Sequence, residues 1–420
     1  MPPLASPLAP ALPSPGAAPL PRPPLATASA TAPETGASVA VPQLPEAERT
    51  PPGDADAFDA RLDAALDALG TRIGPLFARP EPRAQAMRYV RALLGGTGAG
   101  NSWRLAHRVG DGSPWRMQRL LTRARWELDA FQDAVRGQVL EHLGHPDGVL
   151  TLGQIDTVKK GDKSVAVARQ YATAARRVEN CQTTLLASYT SPLGTVVLDR
   201  ELYLPPSWAE DAQRCHQAGV PADRTAHRPR TELAQRLVER AHAARVPFAW
   251  VSGDLTRGQD AGLRGWLEQR ATGYVLPVSA GYPVRTVGGP ALPAGVLARS
   301  AAGSGVPDAL SPSWEWSAVP LGAAGPGGLV RLLLTRRHPG TGRTGHHLVY
   351  APQNTAVPVL AAVARGGWHT LRAAPGACES VQFTRTEVRT WTAWYRHTAL
   401  ALAALGVYAA AGAPHGKVPQ

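Results

Sequence analysis

Apolar residues first fall into a helical rhythm at position 58. Phe58, Leu62, Ala65, Leu66 and Leu69 share one face, and Gly70 is the expected stop. Further helices are expected over 82–94 and 102–109. Another starts near Ser113, where Pro114 suits a first turn and Met117, Leu120, Leu121 and Ala124 make the apolar stripe. A last one covers 128–143, so 54–147 reads as a small all-helical module. Within it, two short helices flank Gly110-Asp111-Gly112, the second carrying Arg116, Arg119, Arg123 and Arg125. A helix-turn-helix would set those arginines against DNA. A solvated basic face on an ordinary bundle has the same spacing.

Beyond His145-Pro146-Asp147 the rhythm changes. Val149-Leu150-Thr151-Leu152 is a short apolar run, the pattern of a buried strand. A polar hook ending in Lys159-Lys160-Gly161 follows, and a basic segment with Arg169, Arg176 and Arg177 closes on Glu179-Asn180-Cys181-Gln182. Residues 184–189 and 194–204 predict a hairpin turning at Ser191-Pro192-Leu193-Gly194. Next come an amphipathic helix over 231–244, a buried strand over 248–252 closing on Gly253-Asp254, a helix over 260–271 and a strand over 274–278. Strands alternating with crossover helices suit a mixed sheet with helices on its faces, an α/β fold. From 283 to 352 Gly, Pro and short β runs dominate, read as a β-rich insertion or a long excursion of the core. Helices resume over 357–364, and the last spans 387–408. The ends contribute no pattern: 1–53 is a Pro/Ala-rich stretch expected to be a disordered tail, and 411–420 is expected to fray.

Composition adds charge. The 420 residues carry a formal net charge of +12, almost all of it arginine, since lysine occurs only at 159, 160, 163 and 417. Such a surplus fits a polyanionic partner, DNA before RNA, although GC-rich coding also enriches arginine. Cys181, Cys215 and Cys378 form no disulfide framework and no metal-ligand spacing, which suits a reduced, cytoplasmic protein. The apolar run 398–413 falls short of the roughly 20 residues that span a bilayer, so a buried helix and no membrane partner are expected.

The blocks around the hook carry a resemblance. The strand at 149–152, Lys159-Lys160-Gly161, Arg169-Gln170-Tyr171 and Glu179-Asn180-Cys181-Gln182 resemble the DDE-type insertion-sequence transposases, in the branch called DDE superfamily endonucleases. Glu201-Leu202-Tyr203-Leu204-Pro205-Pro206-Ser207-Trp208 and Trp391-Thr392-Ala393-Trp394-Tyr395-Arg396-His397 are the strongest further matches. The resemblance runs over roughly 54–410 and implies a ribonuclease-H-like mixed sheet core over 148–410, after the helical module. It also implies DNA as partner, with Lys159, Lys160, Arg169, Arg177 and Arg396 along the DNA path; solvated charges are the plain alternative. An oligomer is compatible with it.

In that family, phosphodiester cleavage rests on carboxylates that hold two Mg²⁺ or Mn²⁺ ions. The resemblance places the second carboxylate at Asp254, at the carboxyl end of its strand. The first falls on Gly153, beside Gln154, where no carboxylate stands. Asp156, three residues on, substitutes only if the turn is rearranged. The third belongs near Trp368-His369-Thr370, but Leu371-Arg372 follow there, and Pro375-Gly376 are expected to break the helix. Glu379 and Glu387 match no acidic position. The expectation is a DNA-binding descendant of a transposase without catalysis and without a cofactor. Two rivals stay open: an active transposase using Asp254, Asp156 and an unrecognised acid with Mg²⁺ or Mn²⁺, and a scaffold or enzyme that has left DNA. Other motifs lead nowhere. The glycines at 340, 342 and 345 suit a hairpin loop, the run 95–100 lacks the lysine of a phosphate loop, and Cys215-His216 and His346-His347 read as structural.

Overall fold

A computed structural model describes residues 55–95, 101–301, 305–323, 325, 328–385 and 387–413. The expected tail at 1–53, the glycines at 96–100 and most of the tail at 411–420 lie outside these residues.

Five helices come first: α1 (Ala55–Ile73), α2 (Pro80–Leu94), α3 (Ser102–Arg108), α4 (Trp115–Thr122) and α5 (Leu128–Leu143). Gly70 does not stop α1. The buried stripe continues from Leu69 to Ile73, and Gly70 lies against Met87 of α2. Asn101 caps α3 by accepting a hydrogen bond from the Arg104 amide at 3.0 Å.

The sheet then begins with β1 (Val149–Val158), β2 (Ala168–Ala172), β3 (Arg177–Ser191) and β4 (Gly194–Leu202). After the short helices α6 (Pro206–Ala209) and α7 (Ala212–Gln217) come α8 (Arg230–Ala243), β5 (Trp250–Gly253), α9 (Leu255–Gly258), α10 (Ala261–Gln269) and β6 (Gly273–Val278). β1 pairs antiparallel with β3 and parallel with β5, β3 pairs antiparallel with β4, and β5 pairs parallel with β6. This is the ribonuclease-H-like arrangement. Its first strand is longer than its apolar run predicts: pairing with β3 carries β1 through Gly153, Gln154 and Asp156 to Val158.

The β-rich excursion is continuous with that sheet. The small hairpin β7 (Pro283–Arg285) and β8 (Ala291–Pro293) leads into α11 (Ala294–Leu297), then β9 (Val306–Asp308), β10 (Ser311–Pro320), β11 (Leu329–Arg337) and β12 (Thr344–Pro352). β12 pairs with β6, and β11, β10 and β9 follow outward, giving a ten-stranded sheet. The glycines at 340 and 342 lie in the loop between β11 and β12.

Two long helices finish the chain, α12 (Val357–Ser380) and α13 (Trp391–Gly412). Pro375 does not break α12. It lies on an exposed face, while Thr370 and Cys378, before and after it, are buried against the core. α13 is buried nearly all round, as a helix apolar on every side must be. It packs against α1, α2, α4, α5 and β4, so the helices of the N-terminal half and the sheet share one core. Among the described residues, no helix is long and apolar enough to cross a membrane.

Candidate functional site

The parallel pairing of β1 with β5 sets Leu152 beside Gly253, and the Asp254 amide donates to the Leu152 carbonyl at 3.2 Å. Asp254 therefore stands at the carboxyl end of β5, next to Gly153. Its carboxylate caps α9, accepting from the Arg257 amide at 2.9 Å. Side chains alternate along β1, so Gly153 faces α12 while Gln154 and Asp156 face the other side. That parity removes Asp156 as a substitute for a carboxylate at 153. Its two oxygens are occupied instead by the Thr183 hydroxyl at 2.7 Å and the Thr173 amide at 2.8 Å.

Leu371 of α12 fills the space in front of Gly153. A Cβ at 153 would lie 2.7 Å from Leu371 Cδ2. The helix comes this close because Gly367 sits directly on Ser252 of β5, where any side chain would collide with the serine hydroxyl. Thr190 of β3 and Thr370 of α12 join their hydroxyls at 2.8 Å in the same interface. The other acids near α12 point elsewhere: Glu379 is exposed and pairs with Arg385, and Glu387 is exposed on the segment leading to α13.

A buried cation stands on the opposite side of the strand ends. Arg257 is 2 % exposed, and its guanidinium lies 3.5 Å from Gln154 Oε1, whose amide donates to Thr173 at 3.1 Å. Burial pulls the Arg257 pKa down and the Asp254 carboxylate partly restores it. Reading the sequence alone misses this residue, because an arginine in a first helical turn reads as surface.

Divalent ions do not fit these residues. Gly153 offers no side-chain ligand, the Leu371 side chain that meets it is apolar, and the guanidinium of Arg257 lies buried beside Gln154. Among the described residues, no group of three or more His, Cys, Asp or Glu could hold a metal ion.

The basic positions divide into two classes. Lys160, Arg169 and Arg177 are exposed around the hook and the β2–β3 hairpin, Arg177 pairing with Glu179 at 2.5 Å. Lys159 is partly buried, which lowers its pKa, while Glu387 raises it. The hook itself is built by the blocks that follow it. Asn180 donates to the Lys159 and Gly161 carbonyls at 2.8 and 3.0 Å, and Gln182 to the Val165 carbonyl at 2.6 Å. On α4, Met117, Leu120 and Leu121 are buried while Arg116 and Arg119 face solvent, as does Arg123 at its C-cap. Trp115 stands exposed at 52 % with Arg123 over its ring, and Trp103 of α3 is exposed at 64 %. Arg396 differs from the expected DNA contact. It turns inward, donating to the Leu121 carbonyl at 3.3 Å and stacking over Trp126.

The block beginning at Glu201 is structural. Arg240 of α8 holds two buried carboxylates of β4, Asp199 at 2.8 Å and Glu201 at closer range, and the Tyr395 hydroxyl donates to Glu201 at 3.0 Å. Burial alone would raise the Asp199 pKa, but Arg240, Arg200 and Arg136 bring it below the ordinary carboxylate value. Residues 72–295 match the family described as DDE superfamily endonuclease. No curated protein matches the chain.

Proposed function

The chain belongs to the DDE superfamily endonucleases, the lineage of DDE-type transposases, and we propose that it keeps the handling of DNA but not its metal-dependent cutting. The observation that carries this reading is the contact between Gly153 and Leu371. Two positions assigned to metal-binding acids meet as a glycine and a leucine whose shapes interlock. Two-metal cleavage needs hard oxygen ligands on both sides of the scissile phosphate. Here Asp254 serves as a helix cap beside an apolar contact and a buried arginine.

The DNA side of the reading rests on the exposed faces. Arg116 and Arg119 lie on the solvent side of α4 with Trp115, Arg123 follows at its end, Trp103 is exposed on α3, and Lys160, Arg169 and Arg177 lie around the hook. Arginines in such rows meet phosphates, and exposed indoles offer stacking surface to bases.

Gel retention of duplex DNA by the purified chain across a salt series tests the proposal. Binding is expected to weaken steeply with salt, the log–log slope growing with each phosphate neutralised. It should be unchanged by EDTA. An Arg116→Gln/Arg119→Gln/Arg123→Gln variant is expected to flatten that slope by about 2–3. Affinity that ignores salt, or that disappears in EDTA, contradicts the proposal.

A further inference from the structure

The strands that extend the sheet carry a cavity of about 590 Å³, within the range of small-molecule sites. Strand register lays out its floor. Ser317 of β10, Thr335 of β11 and His346 of β12 stand opposite one another in one row, and Glu315, Arg337 and Thr344 in the next. Rows two residues apart share a face, so all six line the same side. The roof is α11 and the turn after it. Gly295 donates its amide to Ala280 O at 2.8 Å, and a Cβ added there would come within 3.7 Å of His346 Nε2. The roof therefore lies within van der Waals reach of the ring.

His346 is 3 % exposed. Its Nδ1 meets the Thr335 hydroxyl at 3.2 Å, and its Nε2 is buried with no hydrogen-bond partner. A buried polar group left unmet is costly, which marks the nitrogen as a waiting contact. Burial lowers the His346 pKa, which favours the neutral ring. When Thr335 donates to Nδ1, the ring's proton resides on Nε2 and points beneath the roof as a donor. Arg337 stands opposite Glu315 yet has no ion-pair partner among the described residues, and Arg299 reaches the cavity from the roof. The other large cavity, about 600 Å³ between α5, α8 and β4, offers nothing comparable. Arg136, Arg200 and Arg240 there are already engaged by Asp133, Asp199 and Glu201.

We propose that the cavity beneath α11 binds a phosphomonoester of about nucleotide size, held by Arg337, Arg299 and the His346 Nε2 proton, with Glu315 accepting from hydroxyls on the remainder. A phosphomonoester brings up to two negative charges and three acceptor oxygens, which two guanidinia and a ring N–H satisfy. The same chemistry is offered by a free nucleotide and by a 5′-phosphorylated DNA end. The inference is independent of the DNA reading above.

Calorimetric titration of the full chain with dAMP, deoxyadenosine and inorganic phosphate tests it, beside 5′-phosphorylated and 5′-hydroxyl oligonucleotides of one sequence. The expected result is binding of dAMP and phosphate but not of deoxyadenosine, with Arg337→Gln weakening dAMP at least about tenfold, the loss of one charge-assisted contact. His346→Gln, checked for folding by circular dichroism, should weaken it as well. If only the phosphorylated oligonucleotide gains affinity, and Arg337→Gln removes the gain, the phosphomonoester site stands and its source is a DNA end. No preference for any phosphorylated probe, or equal dAMP affinity in Arg337→Gln, overturns the proposal. Retention of 5′-hydroxyl duplex DNA should be unchanged in Arg337→Gln, which separates this site from the basic helical face.

Discussion

Leu371 and Gly153 are a matched pair, and each makes the other hard to change alone. A carboxylate reintroduced at 153 would collide with Leu371, since even a Cβ comes within 2.7 Å. Gly153→Asp should therefore lower stability by about 1–3 kcal/mol, the cost of overpacking, measured as a shift in the urea midpoint. Leu371→Ala in the same chain should recover much of that loss, whereas additive effects would mean that the two side chains do not meet. That Gly153 brings no side-chain ligand is legible in the sequence. Its contact with Leu371 is not, because only the packing of α12 on β1 brings the two together. Asp156 fails for a reason of parity: three residues along a strand is the wrong face. His397 contributes at the same scale. It is 2 % exposed, with Nδ1 2.9 Å from the Tyr89 hydroxyl, and burial pushes its pKa down to about 4. An unfolded histidine takes up its proton near 6.5. Between those values the unfolded chain holds more protons, so stability is full above pH 6.5 and falls as pH drops toward 4, by about 1.4 kcal/mol per unit. Burial shifts His242 and His346 in the same direction. Denaturation midpoints across that window should show the decline, and His397→Asn should make it shallower. A flat profile would mean that the ring is solvated.

At the scale of elements, the retained blocks explain themselves as joinery. Asn180 and Gln182 hold the Lys-Lys-Gly hook by its carbonyls, and Trp208 donates its indole N–H to the Val167 carbonyl at 2.8 Å. Glu201 and Asp199 lock β4 to α8 through Arg240. Removing Arg240 would leave two carboxylates, 3 % and 5 % exposed, without their main partner. Arg240→Met is thus expected to cost about 3 kcal/mol, the low end for breaking a buried ion pair, since Arg240 itself is partly exposed. Double substitution with Glu201→Gln should cost less than the sum. Strand and helix identities were largely legible from periodicity, and lengths were not. The apolar run predicts β1 only over 149–152, yet backbone pairing with β3 extends it through polar residues to Val158. Periodicity predicts this helix over 357–364 and a break at Pro375, but burial on both sides of the proline carries it on to Ser380.

At the scale of the whole molecule, the last helix joins the helices at the start of the chain to the sheet. Arg61 donates to the Ala411 carbonyl at 2.8 Å, and Phe58 meets Tyr408 edge to face. Spacing showed that 398–413 is a buried helix but not what buries it, because periodicity carries no information about distant partners. Deletion of residues 391–413 should therefore expose the buried faces of α1, α2 and α5 and abolish the cooperative unfolding transition, whereas a surviving transition would show that the first helices fold alone. The proposed loss of metal-dependent cutting, on a transposase fold that keeps its basic faces, is tested by nicking of supercoiled plasmid by the purified chain in Mg²⁺ or Mn²⁺, beside an Asp254→Ala control. No metal-dependent nicking is expected from either protein. Nicking by the native chain that disappears in Asp254→Ala would mean that a working two-metal site is present.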